Sequence, residues 1–356
     1  MKARYLRIAT YCVIIILTIV VSINLVPSVS AAEKNTDLKK TFKWRANTFH
    51  PANHAGGQSL TIFCDLVRNM SGGRLDITPY LGATLLKGGD SFDGLKNGIV
   101  EVAALYAAYH HGKVPECFTE SGANGVMSRY IDEHGFWYFD GNANEYMRKV
   151  YEPYNIRFLG FSFGGPVGIC SRVPIRTAAD FKGLKIRTGG VLALQCEELG
   201  AKTVHTPIGE AYTALQLGTI DAATYTDLGS FVNLGWHEVA KYAVTELFKE
   251  HGGTSMSMNL KAWNSLPDDL KAIVMAATEL SCIAHEYYDV TANVKARKVM
   301  EAAGCEIVKF SLEETAKVAA ARNKAIDKLV EKNPRYKEGV DLYRAWYLER
   351  GYKKDW

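Results

Sequence analysis

The sequence predicts an α/β protein built as two similar lobes, and three observations carry that prediction. Phe92-Asp-Gly-Leu-Lys-Asn-Gly-Ile-Val-Glu-Val-Ala-Ala-Leu105 returns in outline as Tyr212-Thr-Ala-Leu-Gln-Leu-Gly-Thr-Ile-Asp-Ala-Ala-Thr-Tyr225. Each copy reads as the end of a helix, a glycine stop (Gly98, Gly218) and a short apolar strand, because a glycine just past a helix takes the left-handed conformation that closes the last turn. Around both copies, strand-like and helix-like segments alternate, which is the pattern of a parallel α/β sheet. Finally, Ser265-Leu-Pro-Asp-Asp269 opens a helical stretch that runs on without Gly or Pro to Ala303. At 1.5 Å per residue it reaches about 50 Å, longer than one small lobe, and is expected to brace both.

Taken in order, Phe42–Thr48 alternates as a first strand and Phe49-His-Pro-Ala-Asn-His54 makes a turn. Asn53 is the expected cap of a helix over Leu60–Met70, ended by Ser71-Gly-Gly73. Arg74–Tyr80 is a second strand, and a glycine-rich loop at Lys87–Asp90 leads into the first motif copy. Ile156–Phe163 is a strand running into Gly164-Gly165, an expected lobe boundary, and Gly168–Arg172 starts afresh. Thr177-Ala-Ala-Asp180 has the form of a capping box. A strand at Leu184–Arg187, Gly189-Gly190, a helix at Val191–Leu199 and a strand at Lys202–His205 precede the second copy. In the long helix Leu270, Ile273, Val274, Ala277, Leu280 and Ala284 keep helical spacing. Gly304 stops it, Glu306–Phe310 is a strand, and Ser311-Leu-Glu-Glu314 caps another helix. The basic, aromatic segment Lys337–Trp356 is expected to pack outside.

The amino end is a targeting segment: Lys2, Arg4 and Arg7 precede an apolar run from Ile8 to Val26, then small residues to Ala31-Ala32. Cleavage after Ala31 leaves 325 residues with a net charge of +1, since the segment holds three basic and no acidic side chains. That is no footprint for nucleic acid. Six cysteines remain (Cys64, Cys117, Cys170, Cys196, Cys282, Cys305), scattered and never as Cys-x-x-Cys; buried thiols are favoured over disulfides.

Catalytic signatures are mostly absent. His237-Glu-Val-Ala-Lys241 and His285-Glu-Tyr-Tyr-Asp289 lack the second histidine of a zinc protease helix, and there is no nucleophile elbow, phosphate loop or dinucleotide fingerprint. Arg187 is the strongest binding candidate, at the carboxyl end of a strand and before two glycines and a helix start. A guanidinium there holds a carboxylate through paired hydrogen bonds, or is a solvated strand-end arginine or half of a structural ion pair. Tyr106 and Tyr109 follow the first motif copy, and Thr224, Tyr225 and Asp227 follow the second, at equivalent strand ends facing one cleft. Phe49 and His50 end the first strand and join the same wall; Phe163 and His251 complete the candidates.

These residues together resemble the substrate-binding proteins of tripartite ATP-independent periplasmic (TRAP) transporters. Ala178-Ala-Asp-Phe-Lys-Gly-Leu-Lys-Ile-Arg187 and Ala214-Leu-Gln-Leu-Gly-Thr-Ile-Asp-Ala-Ala223 are similar to that family's most recognisable stretch. Ser71-Gly-Gly-Arg-Leu-Asp-Ile77, Phe92–Ala104 and Trp263-Asn-Ser-Leu-Pro267 extend the resemblance over residues 42–330. It implies a two-lobed periplasmic-binding-protein fold with a long helix spanning both lobes, and a small carboxylate held by Arg187. Membrane subunits of a TRAP transporter are the implied partner, with ion-driven transport, no catalysis, no nucleic acid and a monomeric receptor. The expected organisation is a signal peptide at 1–31, a linker at 32–41 and one lobe at 42–163 plus about 251–290. A second lobe at 164–250 plus about 291–330 and a C-terminal extension at 331–356 complete it. Family members for sialic acid and dicarboxylates carry a further arginine after the lobe boundary, where this chain reads Phe163-Gly-Gly-Pro166. The 2-oxo-acid branch holds a metal with Gln and a Glu-Trp pair, at positions matched here by Gly165 and Thr224-Tyr225. The resemblance therefore implies a metal-free, aromatic-walled pocket without a cofactor, suited to an acid with an apolar or aromatic body. A receptor that presents its ligand to a membrane sensor, and an exported enzyme on the same scaffold, are the alternatives.

Overall fold

Residues 40–120, 134–245, 248 and 251–351 are described by the computed structural model, and both copies of the repeated motif fold there as helix, left-handed glycine and strand. In chain order come β1 (Phe42–Asn47), α1 (Ala55–Met70), β2 (Leu75–Tyr80), α2 (Ser91–Lys96) and β3 (Val102–Leu105). Next are α3 (Ala143–Tyr151), β4 (Ile156–Pro166), β5 (Gly168–Ser171), β6 (Lys185–Arg187), α4 (Gly190–Glu198) and β7 (Lys202–Val204). Then follow α5 (Ala211–Leu217), β8 (Ala222–Tyr225), α6 (Leu228–Asn233), α7 (Trp236–Val239), β9 (Tyr242–Val244) and β10 (His251–Asn259). The chain continues with α8 (Leu260–Ser265), α9 (Asp268–Ala302), β11 (Glu306–Val308), α10 (Leu312–Lys332) and α11 (Pro334–Glu349). Gly98 and Gly218, after α2 and α5, have φ of 74° and 72°. The targeting segment lies outside the described residues, among which no helix is long and apolar enough to cross a membrane.

Two sheets form, in the orders β2-β1-β3-β10-β4 and β11-β9-β5-β8-β6-β7. Phe42–Trp356 is one compact unit that contains both. Each lobe was expected to be parallel throughout, and each instead holds one antiparallel strand. β10 runs antiparallel to β3 and β4, and β5 runs antiparallel to β8 and β9. The reason is connectivity. Strands of the helix–strand repeats end at the cleft between the sheets, as β3, β6 and β8 do. β5 and β10 are the strands by which the chain enters one sheet from the other, so they start at the cleft and run the opposite way. Only one residue, Val167, separates β4 from β5.

The long helix α9 supplies both cores, as its length predicts. Its first half buries Leu270, Val274 and Ala277 with Leu60, Phe63 and Met258 of the first lobe. Its second half buries Ala296 and Met300 with Phe231, Trp236 and Ala243 of the second. Each such buried side chain larger than alanine contributes about 1.5–3 kcal/mol, so the helix ties the lobes at its two ends. The C-terminal segment departs from expectation. α11 turns Tyr343, Trp346 and Tyr347 into the first lobe's core beside Phe136 and Tyr151, and Trp346 Nε1 donates to Asp140 Oδ1 at 2.8 Å. Its aromatic residues recur at helical spacing on one face, which buries them and leaves the basic residues outside. Cys64, Cys117, Cys170, Cys282 and Cys305 are buried thiols.

Candidate functional site

The carboxyl ends of four strands from the two sheets converge on one hollow. β1 delivers Phe49 and His50, β3 delivers Tyr106 and Tyr109, β6 delivers Arg187, and β8 delivers Thr224 and Tyr225. This is where open α/β sheets collect ligands, because helix starts and free backbone groups gather there. The hollow measures about 60 Å³. By the measure in which one water needs roughly 10–15 Å³, that is room for a small molecule of a handful of non-hydrogen atoms.

Arg187 is positioned by two backbone carbonyls. Its Nε donates to Thr206 O at 2.9 Å and its Nη1 to Thr224 O at 3.1 Å. Among the described residues no carboxylate pairs with it, so the structural ion pair that its position alone allowed is not formed. The planar fork is anchored on one edge and keeps its remaining donors for the cleft. Thr224 Oγ1 donates to Thr188 Oγ1 at 2.9 Å, which fixes the strand-end hydroxyls beside it.

The first lobe faces Arg187 with rings. Phe49 and Tyr109 meet edge to face with centroids 5.3 Å apart, and Tyr106 and Tyr109 do so at 5.5 Å. Such contacts are the favoured aromatic geometry and make the wall stiff. Burial pushes the Tyr109 and Tyr225 hydroxyls above their ordinary range, so both remain neutral donors at physiological pH.

Two expected positions are turned away from the hollow. Phe163 lies in the first lobe's core, 5.2 Å from the Phe161 ring and 5.0 Å from His134. The two phenylalanines are two apart on β4 and so share its inward face. Asp227 caps α6 instead, its Oδ1 accepting from Ser230 N at 2.9 Å. It lines a second hollow behind the first, with Asp289 of α9. The side chain of His251 lies outside the described residues, although Gly253 on the same strand lines the cleft.

Three histidines complete the first lobe's wall, and of these the sequence pointed only to His50. His54, rather than the expected Asn53, caps α1, its Nδ1 accepting from Gly56 N at 3.0 Å. The His50 and His54 rings stack with centroids 4.1 Å apart and 7° between planes. His285 of α9 closes the group, 6.4 Å from each of the other two. All three are less than a tenth exposed. Burial depresses each: His50 well below the ordinary 6.5, His54 to about 4 and His285 to about 3. The His285 Nε2 to Asp289 Oδ2 separation of 3.5 Å has ion-pair length, but desolvation keeps that imidazole neutral at pH 7. A sequence signal existed for His54, since a polar residue before an apolar run marks a helix start. For His285 there was none, because 230 residues separate it from its neighbours.

Residues 46–333 match the family model for "Bacterial extracellular solute-binding protein, family 7". The chain belongs to that family. It is a TRAP-type solute receptor, and the two-lobed fold is the one its relatives share. One relative is the monocarboxylate 2-oxoacid-binding periplasmic protein of Nostoc sp., 30% identical over 275 residues that span 76% of this chain and 74% of that one. Among solved structures, the TRAP transporter solute binding protein from Bordetella bronchiseptica superposes with a TM-score of 0.79 at 25% identity, covering 88% of this chain and 94% of that one. It was crystallised with copurified calcium and picolinate. A TRAP periplasmic solute binding protein from Rhodoferax ferrireducens, with bound malonate, gives 0.78 at 22% identity and covers 88% and 100%.

Among the described residues, the donors lining this receptor's cleft do not make up a site for a calcium-like ion. Such cations take six to eight oxygen ligands with carboxylates among them. The described residues lining the hollow include neither Asp nor Glu, and no described cluster of three or more His, Cys, Asp or Glu is arranged to hold a metal.

Proposed function

We propose that this TRAP receptor captures a small organic acid in the periplasm, holds its carboxylate on Arg187, and delivers it to the membrane subunits of the transporter without chemical change. The observation that carries the reading is the Arg187 guanidinium: fixed by two carbonyls, open to the cleft and unpaired with any described carboxylate. A permanent cation placed so in a partly desolvated hollow is satisfied by an anion from outside. Phe49, Tyr106, Tyr109 and Tyr225 enclose the body of the acid, and Thr224 holds the strand end on which Arg187 rests. Closure of the lobes then excludes water, as in two-lobed binding proteins generally. The acids associated with its relatives fit this class: a 2-oxoacid for the Nostoc protein, picolinate for the Bordetella protein and malonate for the Rhodoferax protein. The mature receptor begins near Ala32, after removal of residues 1–31.

The test is mass spectrometry of the acid released when the purified receptor is denatured, followed by a thermal-shift panel of small carboxylates. The proposal expects a released acid of low mass that raises the melting temperature when added back and returns unaltered after prolonged incubation. Release of a neutral sugar or an amine, or conversion of the acid, contradicts it.

A further inference from the structure

The cleft has a second pole that the carboxylate reading does not use. Opposite Arg187, three imidazoles lie in contact, and the His50 ring has no hydrogen-bond partner among the described residues; its Nδ1 is fully enclosed. A buried polar ring left unpaired costs stability unless something satisfies it. The surroundings are built to hold it. A Cβ on Gly56 would come within 2.4 Å of the His50 ring, so only glycine there lets α1 start against the imidazole. His54 is committed on both nitrogens, to Gly56 N and, at 3.4 Å, to Ser230 Oγ. His285 Nδ1 meets Ser162 Oγ at 2.5 Å, and its Nε2 faces Asp289. Of the three, His50 is the one whose ring is bonded at neither nitrogen among the described residues; His285 keeps Nδ1 on Ser162, and its Nε2, though unbonded, already faces Asp289.

We infer that His50, supported by His54 and His285, is the reader of a second acidic group on the ligand, and that it takes up a proton from solvent when a diacid binds. This rests on Arg187 holding the first carboxylate. In the empty receptor the imidazoles are neutral because burial and mutual repulsion disfavour their charge. A second carboxylate placed against His50 reverses that balance: the proton settles on the imidazole, and an ion pair forms in a site that water cannot reach. No bond of the ligand changes. The groups facing the cluster set its limits. Asp289 of α9 and Asp227 of α6 lie behind it, Tyr225 of β8 and Ser162 of β4 stand beside it, and Arg187 lies across the cleft. Burial raises the Asp227 carboxyl to about 6, so it is mostly ionised near neutral pH and adds a negative charge behind the cluster. The occupant is then a short diacid, or an acid with a comparably acidic second group.

Malonate and propionate test this, since they match in carbon count and differ by one carboxylate. The experiment is calorimetric titration of the full mature receptor in buffers of different ionisation enthalpy, which counts protons taken up, from about pH 6.5 to about pH 8. Malonate is expected to bind tighter than propionate, to take up close to one proton, and to weaken by roughly tenfold per pH unit over part of that range, with propionate nearly flat. His50→Gln should remove the proton uptake and the advantage of malonate over propionate. His285→Gln, a second variant, should reduce uptake without abolishing it. Equal, pH-flat affinities for the two acids, or uptake that survives His50→Gln, overturn the inference while leaving Arg187 as the anchor. Binding of neither acid by the wild type removes the carboxylate reading itself, and the inference with it.

Discussion

A depressed imidazole is a statement about stability as well as about binding. His54 and His285 titrate near 4 and 3 in the folded receptor but near 6.5 when the chain is unfolded. Between those values the unfolded chain binds more protons than the folded one, so stability rises with pH there. The contribution of the cluster is complete above about pH 6.5 and is lost as pH falls through about 4 for His54 and about 3 for His285, with His54 alone worth on the order of 3 kcal/mol. The ligand-free receptor should therefore melt markedly lower at about pH 5 than at about pH 7.5. His285→Gln should flatten that dependence; an unchanged slope would mean that the carboxylates govern acid sensitivity instead. At this scale the sequence revealed what strand ends and glycines determine locally. Arg187, Thr224, Tyr225, Tyr106 and Phe49 all reached the cleft because each follows a strand whose end could be read. Phe163 and Asp227 did not, because strand alternation and a capping role decide where they point. The meeting of His50 with His285 depends on α9 passing under the cleft, which no local pattern encodes.

The repeated motif is where sequence and element agree best. Both of its glycines adopt φ above 70°, a region that costs a residue with a Cβ about 1 kcal/mol or more. They are not equivalent, however. A Cβ on Gly98 comes no nearer than 3.7 Å to Asn259 Nδ2, whereas one on Gly218 would meet Arg172 Nη1 at 2.4 Å. Gly98→Ala should cost about 1 kcal/mol in chemical denaturation, and Gly218→Ala more, because Arg172 must also move. Equal costs would show that the arginine yields freely. The capping box at Thr177 and Asp180 and the Ser311 cap of α10 were legible for the same reason: each is a short-range exchange of hydrogen bonds. The directions of β5 and β10 were not legible, since they follow from which lobe the chain has just left. The aromatic face of α11 was visible as composition but not as burial, because the surface it covers comes from residues some two hundred positions earlier.

For the whole molecule, α9 and the chain crossings from β4 to β5 and from β9 to β10 join two sheets whose carboxyl ends face each other, which sets Arg187 against a wall of rings. The repeated motif and the Arg187 segment made this architecture legible as a family resemblance, which the family match over residues 46–333 establishes. What the cleft takes depends on side chains brought together from β1, α1, β8 and α9, and these meet only in the folded receptor. Isothermal titration of the wild type and of Arg187→Met with the acid found in the purified protein tests the central claim most directly. The account predicts a loss of affinity of at least about a hundredfold, roughly 3 kcal/mol, in a variant that remains folded by circular dichroism. Affinity retained within about threefold would contradict it, because a guanidinium that holds the carboxylate cannot be replaced by a thioether at so little cost.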